Sequence, residues 1–256
     1  MKLYAVAAFA LLTLISCSSD KPPAAATTEL APTGPALSPD EANGATLTGK
    51  VAFTGAKPPL SMIDMSANPA CERAHKDAPL AAEDIVVNPN GTLKYVFVWV
   101  KSGLPANQRW AIPATPVVLD QSGCQYKPHM IGVMTGQNVE LRNSDPTNHN
   151  IHPQPSLNPE WNDSQAPGGD PKFKTFARQE IMIPVKCNVH PWMRSFIGAV
   201  NHPFFAVTGD DGTFTIEGLP PGTYVIQTWH EKFGTVEQTV TVGAKEHKAV
   251  DFSYKG

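Results

Sequence analysis

Short runs of apolar and β-branched residues recur along the chain from residue 47 onward. Turn-forming stretches such as NPNG, TGQ, GDDG and LPPG separate many of these runs. No segment keeps apolar residues at a sustained helical period, so helices should be few and short. Many short strands with frequent turns predict an all-β protein built from β-sandwiches. The predicted strands are 47–54, 94–102, 115–120, 137–143, 180–186, 194–200, 204–209, 213–218, 223–229 and 236–242.

The amino-acid composition agrees with an all-β fold and argues against a nucleic-acid partner. The 256 residues, 41% of them hydrophobic, are enough for one large or two small cores. The 25 prolines and 19 glycines favour turn-rich β structure over helix bundles. Charged residues make up only 17% of the chain and the formal net charge is -3, so a clustered basic surface for nucleic acid is not expected.

The N-terminus has the features of an export signal. Lys2 precedes an apolar run that ends at Ile15 and is too short to span a bilayer comfortably. The run ends in LISC, which resembles the lipobox of bacterial lipoproteins. That resemblance implies a signal peptide over residues 1–16 and lipidation of Cys17, the N-terminal lipid being the chain's only membrane attachment. A plain secretory signal or an uncleaved anchor is the alternative.

Residues 17–43 are poor in aromatic residues and rich in Pro, Ala and Thr. Such a segment cannot bury enough apolar surface to order itself, so it is expected to be a flexible tether. The two serines after Cys17 replace the acidic residue that often retains lipoproteins at the inner membrane. The periplasmic face of the outer membrane is therefore the favoured location.

The C-terminal part carries a two-piece motif. The turn T-x-x-D-G-x-F is followed by L-P-P-G-x-Y, formed by Thr208, Asp211, Gly212, Phe214, Leu219, Pro220, Pro221, Gly222 and Tyr224. This motif resembles the carboxypeptidase regulatory-like (prealbumin-like) sandwich, which usually opens with a Gly-x-Val strand like the one in LTGKVAF. The resemblance implies that residues 44–107 and 203–256 form one prealbumin-like sandwich with a second domain inserted between them or preceding its C-terminal part.

Between those parts, the stretch KCNVHPWM places a thiol, an imidazole and a thioether three residues apart, as Cys187, His190 and Met193. Blue-copper sites use two imidazoles and one thiolate in a plane, with a weak axial Met. The stretch NSDPTNHN supplies a second imidazole, His149. The loop alone is a weak signal, and the upstream histidine, the β context and export together make a copper site the preferred interpretation.

Residues 108–202 are similar to a cupredoxin domain, and the short ligand loop is most similar to that of amicyanins. The matching positions are Val133, Gly136, Val139, Asn143, His149, Asn150, Cys187, His190 and Met193. The resemblance implies a Greek-key β-sandwich with one mononuclear type 1 copper. His149, Cys187 and His190 would be equatorial ligands, Met193 the axial ligand, and Asn150 would pin the ligand loop through a side-chain-to-backbone hydrogen bond. One departure is the stretch 155–174, which is predicted to be a long loop.

The function implied is outer-sphere electron transfer between redox protein partners, and four protein ligands would leave no position for an enzyme's substrate. The edge of His190 is expected to reach the surface, where Pro191 and Trp192 would form a docking patch. Two other classes stay open. One is a copper carrier or buffer, and the other is a surface scaffold with a vestigial copper site.

Cysteine counting bears on the same loop. With Cys17 lipidated, Cys71 and Cys124 are expected to form a disulfide, which leaves Cys187 for a metal. The rival is a second metal site made by Cys71, His75, Cys124 and His129.

Two further points concern the ligands. His152 could replace His149, but on one strand the two side chains would face opposite sides, and the Asn after His149 favours His149. A dinuclear copper centre would need a second cysteine in the loop, and zinc seldom takes a thioether.

Overall fold

The computed structural model describes residues 34–256. The predicted signal peptide, Cys17 and most of the predicted tether lie outside the described residues. The protein is nearly all β, as predicted, with seventeen strands and one short helix in the described part. Within residues 34–256 no helix has the length and apolar character needed to cross a bilayer.

The strands that come first and last along the chain share two sheets. These strands are β1 (Ala45–Thr54), β2 (Phe97–Ser102), β12 (Phe205–Val207), β13 (Thr213–Leu219), β14 (Gly222–His230), β15 (Gly234–Val242), β16 (His247–Ala249) and β17 (Phe252–Lys255). One sheet has the order β13-β1-β16, with β17 also pairing β1, and the other has the order β12-β2-β14-β15. Strands on either side of the central region therefore pair with each other, which is the pairing expected of a sandwich with an insertion.

The strands between them pair among themselves in two further sheets. They are β3 (Val117–Gln121), β4 (Tyr126–Lys127), β5 (Met130–Met134), β6 (Val139–Asn143), β7 (His149–Pro153), β8 (Asp163–Gln165), β9 (Lys172–Lys174), β10 (Glu180–Lys186) and β11 (Arg194–Val200). The two sheets have the orders β5-β11-β10-β7-β8 and β4-β3-β6-β9. Pairing is parallel between β3 and β6 and between β5 and β11, and antiparallel between β10 and β11. Residues 34–256 all belong to one compact unit, so the division into domains at 108 and 203 stays a prediction.

The alternation of buried and exposed side chains explains why the two sheets formed by the first and last strands stack on each other. In β13 the buried residues Phe214 and Ile216 alternate with exposed threonine and glutamate, and successive residues of a strand face opposite sides. Their buried faces meet in one apolar core with Val98, Phe204 and Tyr224.

The C-terminal motif has a local structural role. Asp211 accepts a hydrogen bond from the N–H of Thr213 at 3.0 Å, which closes the turn before β13. Gly212 has φ +69°, and a Cβ at this position would lie 2.1 Å from the Thr92 hydroxyl, so only glycine fits. The Tyr224 hydroxyl donates to the carbonyl of Pro220 at 2.7 Å and fixes the LPPG turn.

Two expectations about loops are corrected. The stretch 155–174 contains β8 and β9, because β7 and β6 offer open edges with which these short segments pair. The prolines, glycines and asparagines in this stretch favour the prediction of a loop. A three-residue strand is also too short to show a detectable alternation of apolar and polar residues. The end of the predicted tether is also ordered. The backbone of Leu37 hydrogen-bonds to Arg109 and Ala111 at 2.9 and 2.7 Å.

The single described helix, α1 (Pro69–His75), follows an N-cap residue, Asn68, whose side chain accepts from the N–H groups of Ala70 and Cys71. Asparagine at the N-cap followed by proline at the first helical position is a strong start signal. The Cys71–Cys124 disulfide, with a sequence separation of 53 residues, joins this helix to the loop between β3 and β4. The helix is thereby placed beside the loop that carries Cys187.

Candidate metal centre

The ligand loop is the connection of an antiparallel hairpin. Strands β10 and β11 pair up to Lys186 opposite Arg194, so residues 187–193 form the turn between them. Inside the turn, the N–H of Cys187 donates to the carbonyl of Met193 at 3.3 Å, and the N–H of Met193 donates to the carbonyl of His190 at 3.0 Å. These two bonds close the loop and bring its predicted ligands together.

The neighbouring strand supplies the fourth predicted ligand. Strand β7 pairs with β10 next to the loop, with Lys186 opposite His152. His149, the first residue of β7, lies buried against the loop. Ligand atoms of His149, Cys187 and His190 all lie within 4.8 Å of one another, and all three side chains are buried.

Within this set, the two imidazole rings face each other with their Nδ1 atoms. His149 Nδ1 lies 2.8 Å from His190 Nδ1. Cys187 Sγ lies 3.7 Å from that same atom of His190. Two imidazoles and one thiol converging in a buried site form the donor set that copper takes in trigonal sites, so the residues present fit this metal.

Met193 is also buried, with a relative exposure of 1%, in the same apolar cluster as Cys187. Ile151, Val185 and Ile197 belong to that cluster as well, so the site lies on the core of the central sheets. Its role as axial ligand stays a prediction.

Asn150 makes the contact expected for it. Its Oδ1 accepts a hydrogen bond from the backbone N–H of Asn188 at 2.7 Å and one from the Cys187 thiol at 3.3 Å. Its Nδ2 donates to Asn162 at 2.7 Å, which fixes the orientation of the amide. The side chain therefore holds the loop to β7 at the position of the thiol.

Asp145 is a member of the site that the sequence interpretation missed. Its Oδ2 lies 2.9 Å from His149 Nε2, and its carboxylate accepts from the N–H groups of Gly123 and Cys124 at 2.6 and 2.7 Å. Asp145 therefore orients the His149 ring so that Nδ1 faces the other ligands. The signal was its position four residues before His149, in the same short loop.

Burial and hydrogen bonding act on the titratable groups in opposite directions. Burial would raise the pKa of Asp145, but hydrogen bonds from His149 and the backbone outweigh it, and the pKa is lowered. Burial would lower the pKa of His149, but Asp145 and Cys187 raise it. For Cys187, burial would raise the pKa, but His149 and backbone hydrogen bonds lower it, which favours the metal-binding thiolate. Burial, and then the charge of His149, lower the pKa of His190 to about 4.

The expectation that the edge of His190 reaches the surface is wrong. His190 has a relative exposure of 0%, and its Nε2 lies 2.6 Å from Nδ2 of Asn68. The physical reason is α1, whose N-cap residue covers the imidazole edge. Apart from the asparagine-proline start signal for a helix, nothing in the sequence pointed to Asn68.

Pro191 and Trp192, the predicted docking residues, differ in exposure. Pro191 is exposed, whereas Trp192 is half-buried and donates from Nε1 to the carbonyl of Cys124 at 3.0 Å. The rings of His190 and Trp192 have centroids 5.1 Å apart. Both Pro191 and Trp192 line a cleft of about 310 Å³ that also contains Asp64 and Glu83.

The structure does not support the alternative metal ligands. His152 lies outside the ligand set, with Nδ1 3.1 Å from Asn188 and Nε2 2.5 Å from Glu160. The second metal site is wrong because Cys71 and Cys124 form the predicted disulfide. The other two members of that alternative lie with different partners, His75 with the carbonyl of Gly123 and His129 with Glu231.

Part of the chain is similar to a known protein family. Residues 199–255 match the family model of the carboxypeptidase regulatory-like domain. This carboxypeptidase regulatory-like segment contains the motif that ends at Tyr224 and agrees with the predicted resemblance. No curated protein matches the chain.

Similar solved structures include copper proteins, each matched over part of this chain. A novel purple cupredoxin from Nitrosopumilus maritimus is 18% identical with a TM-score of 0.28, over 32% of this chain and 98% of that one. Amicyanin from Paracoccus versutus is 19% identical with a TM-score of 0.30, over 40% and 96%. A Cu-containing nitrite reductase (NirK) from Thermus scotoductus SA-01 is 18% identical with a TM-score of 0.31, over 38% of this chain. Only 25% of the nitrite reductase is covered.

Proposed function

We propose that this protein is an exported type 1 copper protein that transfers electrons between redox partners. The observation that carries the proposal is the convergence of the His149, Cys187 and His190 donor atoms within 4.8 Å in a buried site. Met193, buried at the end of the same loop, is proposed as the weak fourth ligand. Bound copper would supply one-electron chemistry by cycling between Cu(I) and Cu(II).

The residues around the donors support that chemistry by holding the ligands still. Asp145 orients His149, Asn150 holds the loop at Cys187, and the apolar cluster keeps water away from the thiol. A site whose ligands are already in place needs little rearrangement when the charge on the metal changes. With four protein ligands there would be no position for a substrate, so an enzymatic role is not proposed.

The test is the absorption spectrum of the protein after addition of Cu(II). An intense thiolate-to-copper band in the visible is expected in the wild type and should be lost in Cys187→Ser and His149→Gln. His152→Gln is the matched control, because His152 lies on the same strand but outside the donor set, and this variant should keep the band. A wild type that stays colourless with excess Cu(II) would overturn the proposal.

A copper carrier is the second candidate, and one observation favours it. Asn68 covers the edge of His190, the direct route by which an electron would enter from the surface. A carrier would release copper to a chelator rapidly on reduction. An electron-transfer protein would retain Cu(I) and exchange electrons repeatedly without loss of metal.

We also propose that redox protein partners dock at Pro191 and Trp192, since Trp192 contacts the His190 ring and lines an open cleft. Unchanged electron exchange in Trp192→Ala with every donor and acceptor tested would overturn this role. The lipid anchor at Cys17 and the outer-membrane location are proposed from the LISC motif. Mass spectrometry of the mature N-terminus, with Cys17→Ala as the comparison, tests both the cleavage site and the lipid.

A further inference from the structure

The side-chain amide of Asn68 makes contacts through both its oxygen and its nitrogen. Its Oδ1 accepts from the N–H groups of Ala70 and Cys71 at 3.1 and 3.2 Å, as an N-cap residue does. Two backbone donors require an oxygen, so the atom left to face His190 is the Nδ2 donor, 2.6 Å from Nε2. The capping role of Asn68 therefore decides which end of its amide meets the imidazole.

That contact fixes the proton positions on both imidazoles when each ring is neutral. His190 must accept at Nε2, so its proton lies on Nδ1 and is donated to His149 Nδ1, 2.8 Å away. His149 then carries its own proton on Nε2, where Asp145 accepts it at 2.9 Å. One continuous chain of hydrogen bonds, from α1 to Asp145, satisfies all four ring nitrogens.

Metal binding requires the opposite arrangement at His190. A neutral imidazole that gives its Nδ1 lone pair to a metal carries its proton on Nε2. That N–H would then point at the Nδ2 donor of Asn68, placing donor against donor. The disulfide holds Cys71, in the first turn of α1, to Cys124, so rotation of the Asn68 amide is the change that requires least movement of the helix.

We propose that Asn68 is a positioning residue that couples metal binding at His190 to the N-terminus of α1. In the metal-free protein with both rings neutral, it holds His190 with the proton on Nδ1 and covers the ring edge. When His190 binds metal, the Asn68 amide rotates, Oδ1 turns to the Nε2 proton, and the N–H groups of Ala70 and Cys71 lose their acceptor. The inference rests on the proposed function, because it takes His190 Nδ1 as a ligand.

The first experiment measures the copper-free protein. At a pH at which both rings are neutral in the wild type, nitrogen-15 NMR should show no proton on His190 Nε2 in the wild type and a proton there in Asn68→Asp. Aspartate keeps the cap, since one carboxylate oxygen still accepts from α1, but it presents a second oxygen to His190 in place of a donor. The same tautomer in both proteins would overturn the inference.

The second experiment adds Cu(I), which is diamagnetic and therefore compatible with NMR. Amide hydrogen exchange at Ala70 and Cys71 should accelerate about fivefold in the wild type, from the loss of one hydrogen bond, and should change little in Asn68→Asp. Equal protection with and without Cu(I) in a wild type that binds the metal would overturn the coupling.

The third measurement is Cu(I) affinity by competition with a chelator. Asn68→Asp should bind about tenfold more tightly than the wild type, because its oxygen accepts the Nε2 proton without rotation. Asn107→Asp, an exposed asparagine in the loop after β2, controls for the added negative charge. A gain in Asn107→Asp equal to that in Asn68→Asp would overturn the assignment to His190.

Failure of the two ideas can be told apart. A wild type that binds no Cu(I) overturns the proposed function and the coupling with it, while the copper-free tautomers still report whether Asn68 positions His190. A wild type that binds Cu(I) with an unchanged α1 overturns the coupling alone.

Discussion

Asn150 and Asn188 are joined by a hydrogen bond of 2.7 Å from the backbone N–H of Asn188 to Oδ1 of Asn150. The same oxygen accepts from the thiol of Cys187 at 3.3 Å. One side chain on β7 therefore holds the start of the ligand loop, which follows the neighbouring strand β10. The contact with the thiol is buried and the contact with the backbone is partly buried, so their loss has a measurable cost.

Asn150→Ala should lower the free energy of unfolding by about 1–3 kcal/mol, because the buried Cys187 thiol and the partly buried N–H of Asn188 lose their acceptor. Urea denaturation of the metal-free protein measures this. Asn150→Asp keeps the acceptor and should retain more of the stability than the alanine variant. Equal stability of the wild type and Asn150→Ala would show that the loop does not depend on this contact.

The disulfide is expected to contribute strongly to stability. It closes a loop with a sequence separation of 53 residues, for which the chain-entropy estimate is about 4 kcal/mol. The double variant Cys71→Ala/Cys124→Ala should unfold at a lower urea concentration by a corresponding amount. Addition of a dithiol reductant should shift the wild type toward the variant and leave the variant unchanged; no shift in the wild type would count against the estimate.

Trp192 links the ligand loop to the disulfide through its hydrogen bond to the carbonyl of Cys124. Trp192→Phe keeps an aromatic ring beside His190 but removes the indole N–H, so we expect a loss of about 1 kcal/mol in unfolding free energy. Trp110→Phe is the comparison, because Trp110 packs edge-on against Phe204 in the other core. A change in the copper absorption band in Trp192→Phe but not in Trp110→Phe would show that the indole contact shapes the loop.

His202 should make stability depend on pH. Burial lowers its pKa to about 4, and its Nε2 donates to the carbonyl of Val100 at 2.8 Å while Nδ1 accepts from the N–H of Phe204. The folded protein therefore needs the neutral ring, whereas the unfolded chain takes up a proton near its ordinary pKa of about 6.5.

Because the folded-state pKa is depressed, the unfolded state binds more protons between those two values. The stability contribution is present above pH of about 6.5 and is lost as the pH falls toward 4, by up to about 3 kcal/mol. Urea denaturation from pH 4 to pH 8 measures the slope. His202→Gln should be less stable at pH 7 and should show a shallower acid slope. An identical slope in both proteins would assign the acid sensitivity to other groups.

The alternation of apolar and polar residues was sufficient to predict the all-β class and ten of the seventeen strands in residues 34–256, because a half-buried strand can be recognised within a few residues. Strands β8 and β9 escaped prediction, since three residues next to an open edge need no pattern of their own. The residue types of the donor set could also be identified from the sequence, because a thiol, an imidazole and a thioether three residues apart belong to one tight loop.

The sequence by itself determined the chemistry available to the site: a cysteine without a disulfide partner, two histidines, a methionine and the asparagine that follows His149. Only the tertiary structure decided that His149 and not His152 faces the loop, that Asp145 orients it, and that Asn68 covers His190. Asn68 and His190 are 122 positions apart. Spacing along the chain governs local geometry, whereas contacts between distant segments depend on how sheets and the disulfide-linked helix pack, which no local pattern encodes.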